Sequence, residues 1–137
     1  MLTQMAMTCP LLIEVNPIMK FIIHLHETED IHYDLMLENE DSLMTWRIGR
    51  NDFERFLNGA ETWAERINDH RKFYLTYQGP VSSGRGTVIS YDTGDYTVKS
   101  WDGKTIEIAM VGAKIHGSLS IFEADKAVSI LNFFKNF

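Results

Sequence analysis

The chain has 137 residues, 45% of them hydrophobic and 12% aromatic, which suits one domain with an ordinary core and is too short for two. Its 13 basic and 19 acidic residues leave a net charge of −6, which argues against avid, sequence-independent nucleic-acid binding while allowing a local basic patch. A single cysteine, Cys9, excludes an intramolecular disulfide framework and suits a reducing, cytoplasmic setting.

No basic residue precedes Lys20, and Pro10, Glu14, Asn16 and Pro17 interrupt the apolar N-terminus, so neither a signal peptide nor a membrane span is expected. Residues 1–18 read as an accessory arm and 19–137 as one domain. Residues 21–26 and 32–38 alternate apolar with polar, as strands with one buried face do, and the polar stretch 27–31 reads as the turn between them. A five-residue loop pairs His26 with His32, His24 with Asp34 and Ile22 with Met36. That puts all four polar side chains on one face, with Leu25, Tyr33 and Leu35 on the other. A slip of one residue would separate them.

Residues 43–48 extend the meander as a third strand. From Asn51 onward Phe53, Phe56, Leu57, Ala60, Trp63, Ala64 and Ile67 recur at three- and four-residue steps, which predicts a helix, or two short ones if Asn58 and Gly59 break it. Residues 68–77 begin polar and end strand-like, and 78–86 are rich in turn residues. Strands are expected at 87–91, 96–101, 105–111 and 114–122, with turns at 92–95, 102–104 and 112–113. Residues 123–137 place Ala127, Ile130, Leu131 and Phe134 at helical spacing and read as a terminal amphipathic helix. The pattern as a whole predicts an all-β protein, mainly an antiparallel β-barrel, with one or two short peripheral helices and a C-terminal helix.

His26, His32 and Asp34 have the types and disposition of a three-ligand metal site. Two imidazoles and a carboxylate suit manganese, iron, cobalt or zinc and leave coordination positions for water and substrate. A solvated polar strand face is the plainer alternative, but three of the five histidines fall within nine residues here. His24 would stand beside the site. His70 and Tyr74 are four residues apart and would share a strand face, although spacing alone favours an exposed loop histidine and a core-edge tyrosine. The glycines around Arg85 lack the Gly-Lys-Ser/Thr ending of a phosphate loop and read as a tight turn, with Arg85 available to an anion. No serine or cysteine nucleophile signature occurs.

Residues 21–26, 32–38 and 43–46, together with Asp69-His70, Tyr74, residues 84–88 and 112–117, resemble the 3′-phosphoesterase module of bacterial ATP-dependent DNA ligase D. They occur in that family's order and near its spacings, and the His-x5-His-Tyr-Asp run is the most specific of them. The resemblance implies a β-barrel with a manganese site (zinc or cobalt being alternatives) in a crescent-shaped cavity. It also implies removal of 3′-phosphates and 3′-ribonucleotides from DNA or RNA ends during non-homologous end joining, beside a repair ligase, a polymerase and Ku. By position, His26, His32 and Asp34 would hold the metal, and His70 and Tyr74 would contact the scissile phosphate. Met36, Thr62 and Asp30 stand where the family carries arginines. Full activity would then require Arg47, Arg71 or Arg85 to supply the missing cations, since one fixed donor is commonly worth roughly 10²–10³ in rate. Without them the domain would be a degenerate barrel that binds metal, nucleic-acid ends or a protein partner.

Overall fold

The computed structural model describes residues 18–136, so Cys9 and nearly all of the arm expected at 1–18 lie outside it. The first hairpin has the expected register. Strand β1 (Met19–Glu27) pairs with β2 (Ile31–Glu38) so that His26 faces His32, His24 faces Asp34 and Ile22 faces Met36. Pairing continues to Glu27 and Ile31, and the Thr28 side chain closes the remaining turn by donating to the Asp30 carbonyl at 2.8 Å. β3 (Leu43–Gly49) extends the meander as expected.

Helix α1 (Arg50–Leu57) then crosses one end of the molecule and stops at Asn58 and Gly59, the latter in the left-handed region at φ 82° that favours glycine. Its Phe53 stacks on Tyr33 with ring centroids 3.8 Å apart, and its Phe56 stacks on Phe133 at 5.2 Å. The helical spacing does not continue beyond the break. Trp63, Ala64 and Ile67 belong to strand β4 (Thr62–His70), in which Thr62 and Ala64 turn inward and Trp63 and Glu65 outward. After β4 comes one 3₁₀ turn, Lys72–Leu75, where a strand is expected, and then a two-residue strand β5 (Gly79–Pro80).

The two strands expected at 87–91 and 96–101 are one strand, β6 (Thr87–Asp102). The turn-forming residues between them make tertiary contacts instead. Asp92 buries its carboxylate against the backbone N–H groups of Ala113, Lys114 and Ile115, and Thr93 donates to the Phe21 carbonyl. Gly94 lies where a Cβ would come within 2.1 Å of the Val111 carbonyl oxygen. β7 (Thr105–Gly112) and β8 (His116–Glu123) follow.

The expected C-terminal helix is instead β9 (Val128–Lys135), set by a turn in which Asp125 accepts from the N–H groups of Ala127 and Val128. Ser129, Leu131 and Phe133 alternate inward along it. β9 fills the gap between β8 and β4, which would otherwise each present an open edge.

All pairings among the described residues are antiparallel, in the order β1-β2-β3-β4-β9-β8-β7-β6-β5, and β1 also pairs with β6, so the sheet closes into a ring with β5 appended. The ring's inner face carries the main core, including Phe21, Ile23, Leu35, Trp46, Ile108, Leu119, Leu131 and Phe133. The outer face of β1, β2 and β3 carries a second, smaller cluster of Ile22, Met36 and Leu43, covered by Tyr74 and Leu75 of the 3₁₀ turn. The candidate ligands lie on this outer face, beneath residues 68–88.

Candidate metal centre

Three side chains converge near the turn of the first hairpin. His26 Nδ1 lies 3.7 Å and His32 Nε2 3.6 Å from Asp34 Oδ2, and the two rings are 4.5 Å apart between centroids. One donor atom from each of the three falls within 4.8 Å of the others, close enough to share one ion. Both histidine nitrogens are buried with no hydrogen-bond partner. Buried polar atoms are normally satisfied, so a pair of orphans aimed at one carboxylate fits a cation held between them. The second ring nitrogen of His26 is tied down: Nε2–H donates to the Arg85 carbonyl at 2.6 Å. A carbonyl only accepts, so the proton sits on Nε2 and the Nδ1 lone pair faces the site. This is the orienting contact typical of metal-binding imidazoles.

Burial of Asp34 works to raise its pKa, but the neighbouring His26 and His32 imidazoles and the Arg47 charge win, holding the carboxyl well below its ordinary range. The same contact with Asp34 raises the His26 pKa against the opposing effect of burial. Arg47 sits opposite Asp34 on β3, with Nε 3.3 Å from Oδ1. His24 is almost fully buried and lies above this cluster. Loss of hydration pulls its pKa down, opposed by Asp34, and its Nε2 also lacks a partner. The donor set and its orphaned atoms therefore fit a divalent cation, and the geometry does not select which one.

His70 and Tyr74 reach the same cleft by a route other than a shared strand face. Between Leu43 and Thr45 the β3–β4 register shifts by one residue, a bulge that re-aims His70 at the end of its strand. Its Nδ1 is held 3.1 Å from both the Asn68 carbonyl and Thr45 Oγ1. Tyr74, in the 3₁₀ turn, packs edge-on against His70 at 5.8 Å and against His24 at 6.4 Å. A second bulge lies in β6 opposite His24.

One cleft of about 370 Å³ is lined by His24, His26, Asp34, Arg47, His70, Arg71, Tyr74 and Arg85, among others. Arg85 is tied into its own loop, its Nε donating to the Ser82 carbonyl at 2.9 Å and Nη2 to Ser82 Oγ at 3.1 Å. Arg71 lies over the rings of Phe73 and Tyr74 at 5.5 and 5.7 Å.

Two positions singled out in the sequence do not face this cleft. Met36 is fully buried in the outer-face cluster, and Thr62 is buried on the inner face with its hydroxyl donating to the Ala60 carbonyl. Sequence reasoning missed the Arg85 carbonyl and the Thr45 and Asn68 contacts. Backbone acceptors leave no residue-type signal, and only the glycines around Arg85 mark the sharp loop that delivers one.

The family model described as "DNA Ligase D 3'-phosphoesterase domain" matches residues 24–123. The chain belongs to that family. The match begins at His24 and takes in the metal centre, both bulges and the loop over the cleft. Among curated proteins, the chain is 28% identical over 112 residues to the multifunctional non-homologous end joining protein LigD of Mycobacterium bovis, covering 77% of this chain and 14% of that protein. The corresponding LigD proteins of Mycobacterium tuberculosis (28% over 112 residues, 77% of this chain and 14% of the relative) and Mycolicibacterium smegmatis (28% over 85 residues, 60% and 11%) match as well. The chain thus spans only about one seventh of the length of the first of these relatives. Among the described residues no helix is long and apolar enough to cross a membrane.

Proposed function

We propose that the domain is a metal-dependent phosphoesterase acting on the 3′ ends of DNA or RNA, removing a terminal phosphate or ribonucleotide in the course of end joining. The observation that carries this reading is the convergence of orphaned His26 Nδ1 and His32 Nε2 on Asp34, with His26 and Asp34 lining the cleft that also holds His70, Tyr74 and three arginines. His26, His32 and Asp34 would hold the cation, manganese by family resemblance with zinc or cobalt as alternatives. When bound, it would polarise a phosphate and lower the pKa of a water.

The chain's own residues do the rest. Arg85, through its carbonyl, keeps His26 in the ligating tautomer, and Asp34 stays ionised at neutral pH. His70 donates from Nδ1 to the Asn68 carbonyl, which leaves the Nε2 lone pair free to take a proton from an attacking water and, once protonated, to pass it to the leaving group. Tyr74 offers its hydroxyl from the same wall. Arg71 and Arg85 supply positive charge where the transition state builds negative charge, and one such donor is commonly worth roughly 10²–10³ in rate.

The test is turnover of a 3′-phosphate and a 3′-ribonucleotide primer by the purified protein, with manganese, zinc or cobalt and with chelator. Turnover no greater than that of a His32→Ala variant overturns the proposal. The inward burial of Thr62 and the burial of Met36 favour a second reading, a domain that binds metal and 3′ ends, or a repair ligase, polymerase or Ku, without hydrolysis. End binding without turnover in the same assay would select it.

A further inference from the structure

One side chain at the lip of the cleft has no task in the fold. Phe73 is 54% exposed, in a 3₁₀ turn none of whose residues is buried. It is nevertheless held firmly. Tyr77 lies against it at 4.8 Å and a 31° tilt, and Tyr74 meets it edge-on at 5.2 Å. Tyr77 is itself fixed by donating to the Pro80 carbonyl, and Gly79 gives it room where a Cβ would come within 2.9 Å of its hydroxyl. Arg71 holds its guanidinium 5.5 Å from the Phe73 ring centre. The rings step outward from the candidate phosphate site, from His70 to Tyr74 and then to Phe73.

An immobilised aromatic with more than half its surface free, beside a cation and one ring away from a phosphate-binding histidine, matches the platforms on which single-stranded nucleic acids stack their bases. We propose that Phe73 is such a platform: it takes a nucleobase next to the 3′ terminus while Arg71 takes the adjoining phosphate, and so selects a frayed or single-stranded 3′ end over a bare phosphoester. This rests on the 3′-end reading above and adds to it the form of the substrate. Stacking is indifferent to base identity, so no sequence preference is expected.

The test is a binding cycle on the full chain in chelator, so that affinity is read apart from turnover. The probes are a short single-stranded oligothymidylate and the same strand with its 3′-terminal bases removed. Phe73→Ala should weaken binding of the intact strand about tenfold, the fold-change typical of losing one stacked base. Base removal should cost wild type the same factor and cost the Ala variant nothing further, while Phe73→Trp should restore affinity. Phe73 is exposed, so these variants should keep the wild-type melting temperature. Equal affinity of wild type and Phe73→Ala for the intact strand would overturn the proposal, as would a base-removal penalty that survives in the Ala variant or no measurable binding by wild type. A closed cycle with no cleavage of 3′ phosphates would leave the platform standing and remove the phosphoesterase reading. Cleavage without coupling in the cycle would do the reverse.

Discussion

Replacing Met36 by arginine would put back the residue the family resemblance expects two positions after the metal-binding aspartate, and the structure makes this a damaging change. Met36 is fully buried beneath Tyr74 and Leu75, packed with Ile22 and Leu43. Withdrawing its side chain from that cluster forfeits roughly 1.5–3 kcal/mol of burial. A guanidinium confined there would add an effective desolvation penalty of several kcal/mol more unless the 3₁₀ turn lifted away. Either outcome removes a large part of the roughly 5–15 kcal/mol that holds a domain of this kind folded. A loss of about 3 kcal/mol, the low end, corresponds to a fall in Tm of roughly 10 °C for a domain of this size. Met36→Leu keeps the volume and apolar character and should cost under about 1.5 kcal/mol. Thermal melts followed by circular dichroism, run beside the primer assay, decide the matter. A Met36→Arg variant with wild-type Tm and faster turnover would mean that the side chain swings into the cleft beside Asp34. The view that this chain supplies its cations from Arg71 and Arg85 would then be wrong.

Manganese, zinc or cobalt at about 100 times its Kd should raise unfolding free energy by about 2.7 kcal/mol, and chelator should reverse the gain, as read by denaturant titration. That affinity should weaken as pH falls, because Asp34 raises the His26 pKa above 6.5 and the proton competes for Nδ1. In the metal-free protein the sign is opposite: the charged His26–Asp34 pair stabilises fully below pH 6.5 and its contribution fades as pH rises through the raised value. Calorimetric titrations at several pH values that show metal affinity independent of pH would contradict this assignment. Gly86→Ala should lower metal affinity roughly 10- to 100-fold. Gly86 has φ 83°, and a Cβ there would come within 2.0 Å of the Glu27 carbonyl oxygen, so the loop would move and carry the Arg85 carbonyl off His26. Unchanged affinity in this variant would show that the carbonyl contact does not orient the ligand.

The first hairpin was legible because its constraint is local. Strand side chains alternate strictly, and a slip of one residue would put His26 on the face opposite His32 and Asp34. Residues 128–135 were not, because Ala127, Ile130, Leu131 and Phe134 satisfy helical spacing while Ser129, Leu131 and Phe133 satisfy strand alternation. What decides between them is the unpaired edges of β4 and β8, which no local window contains. Trp63 to Ile67 follow the same logic. Residues 92–95 carry turn chemistry that the fold uses for other ends, in a side chain that caps a distant loop and a glycine under a crossing carbonyl. His70 and Tyr74 were paired correctly as neighbours but by the wrong geometry, since a bulge and a 3₁₀ turn bring together what a straight strand was expected to align.

The net charge of −6 and a phosphate-binding role are compatible once the cations are sorted by their partners. Arg47 faces Asp34, so much of its charge is neutralised within the site. Among the described residues the Arg71 guanidinium lies over aromatic rings and that of Arg85 meets a carbonyl and a hydroxyl, neither of which neutralises a charge, and both residues line the cleft. Asp69, the other carboxylate on the cleft wall, is paired away from it by Arg66 and Ser42. Screening confines exposed charges to a range of about 8–10 Å, within which a 3′ phosphate experiences two unpaired guanidiniums rather than the acidic surface beyond. The acidic remainder still disfavours long tracts of duplex, whose phosphates would extend over it. On the proposed reading, a domain charged in this way would engage the last few nucleotides of a strand, the substrate that the metal centre and the exposed ring beside it would require.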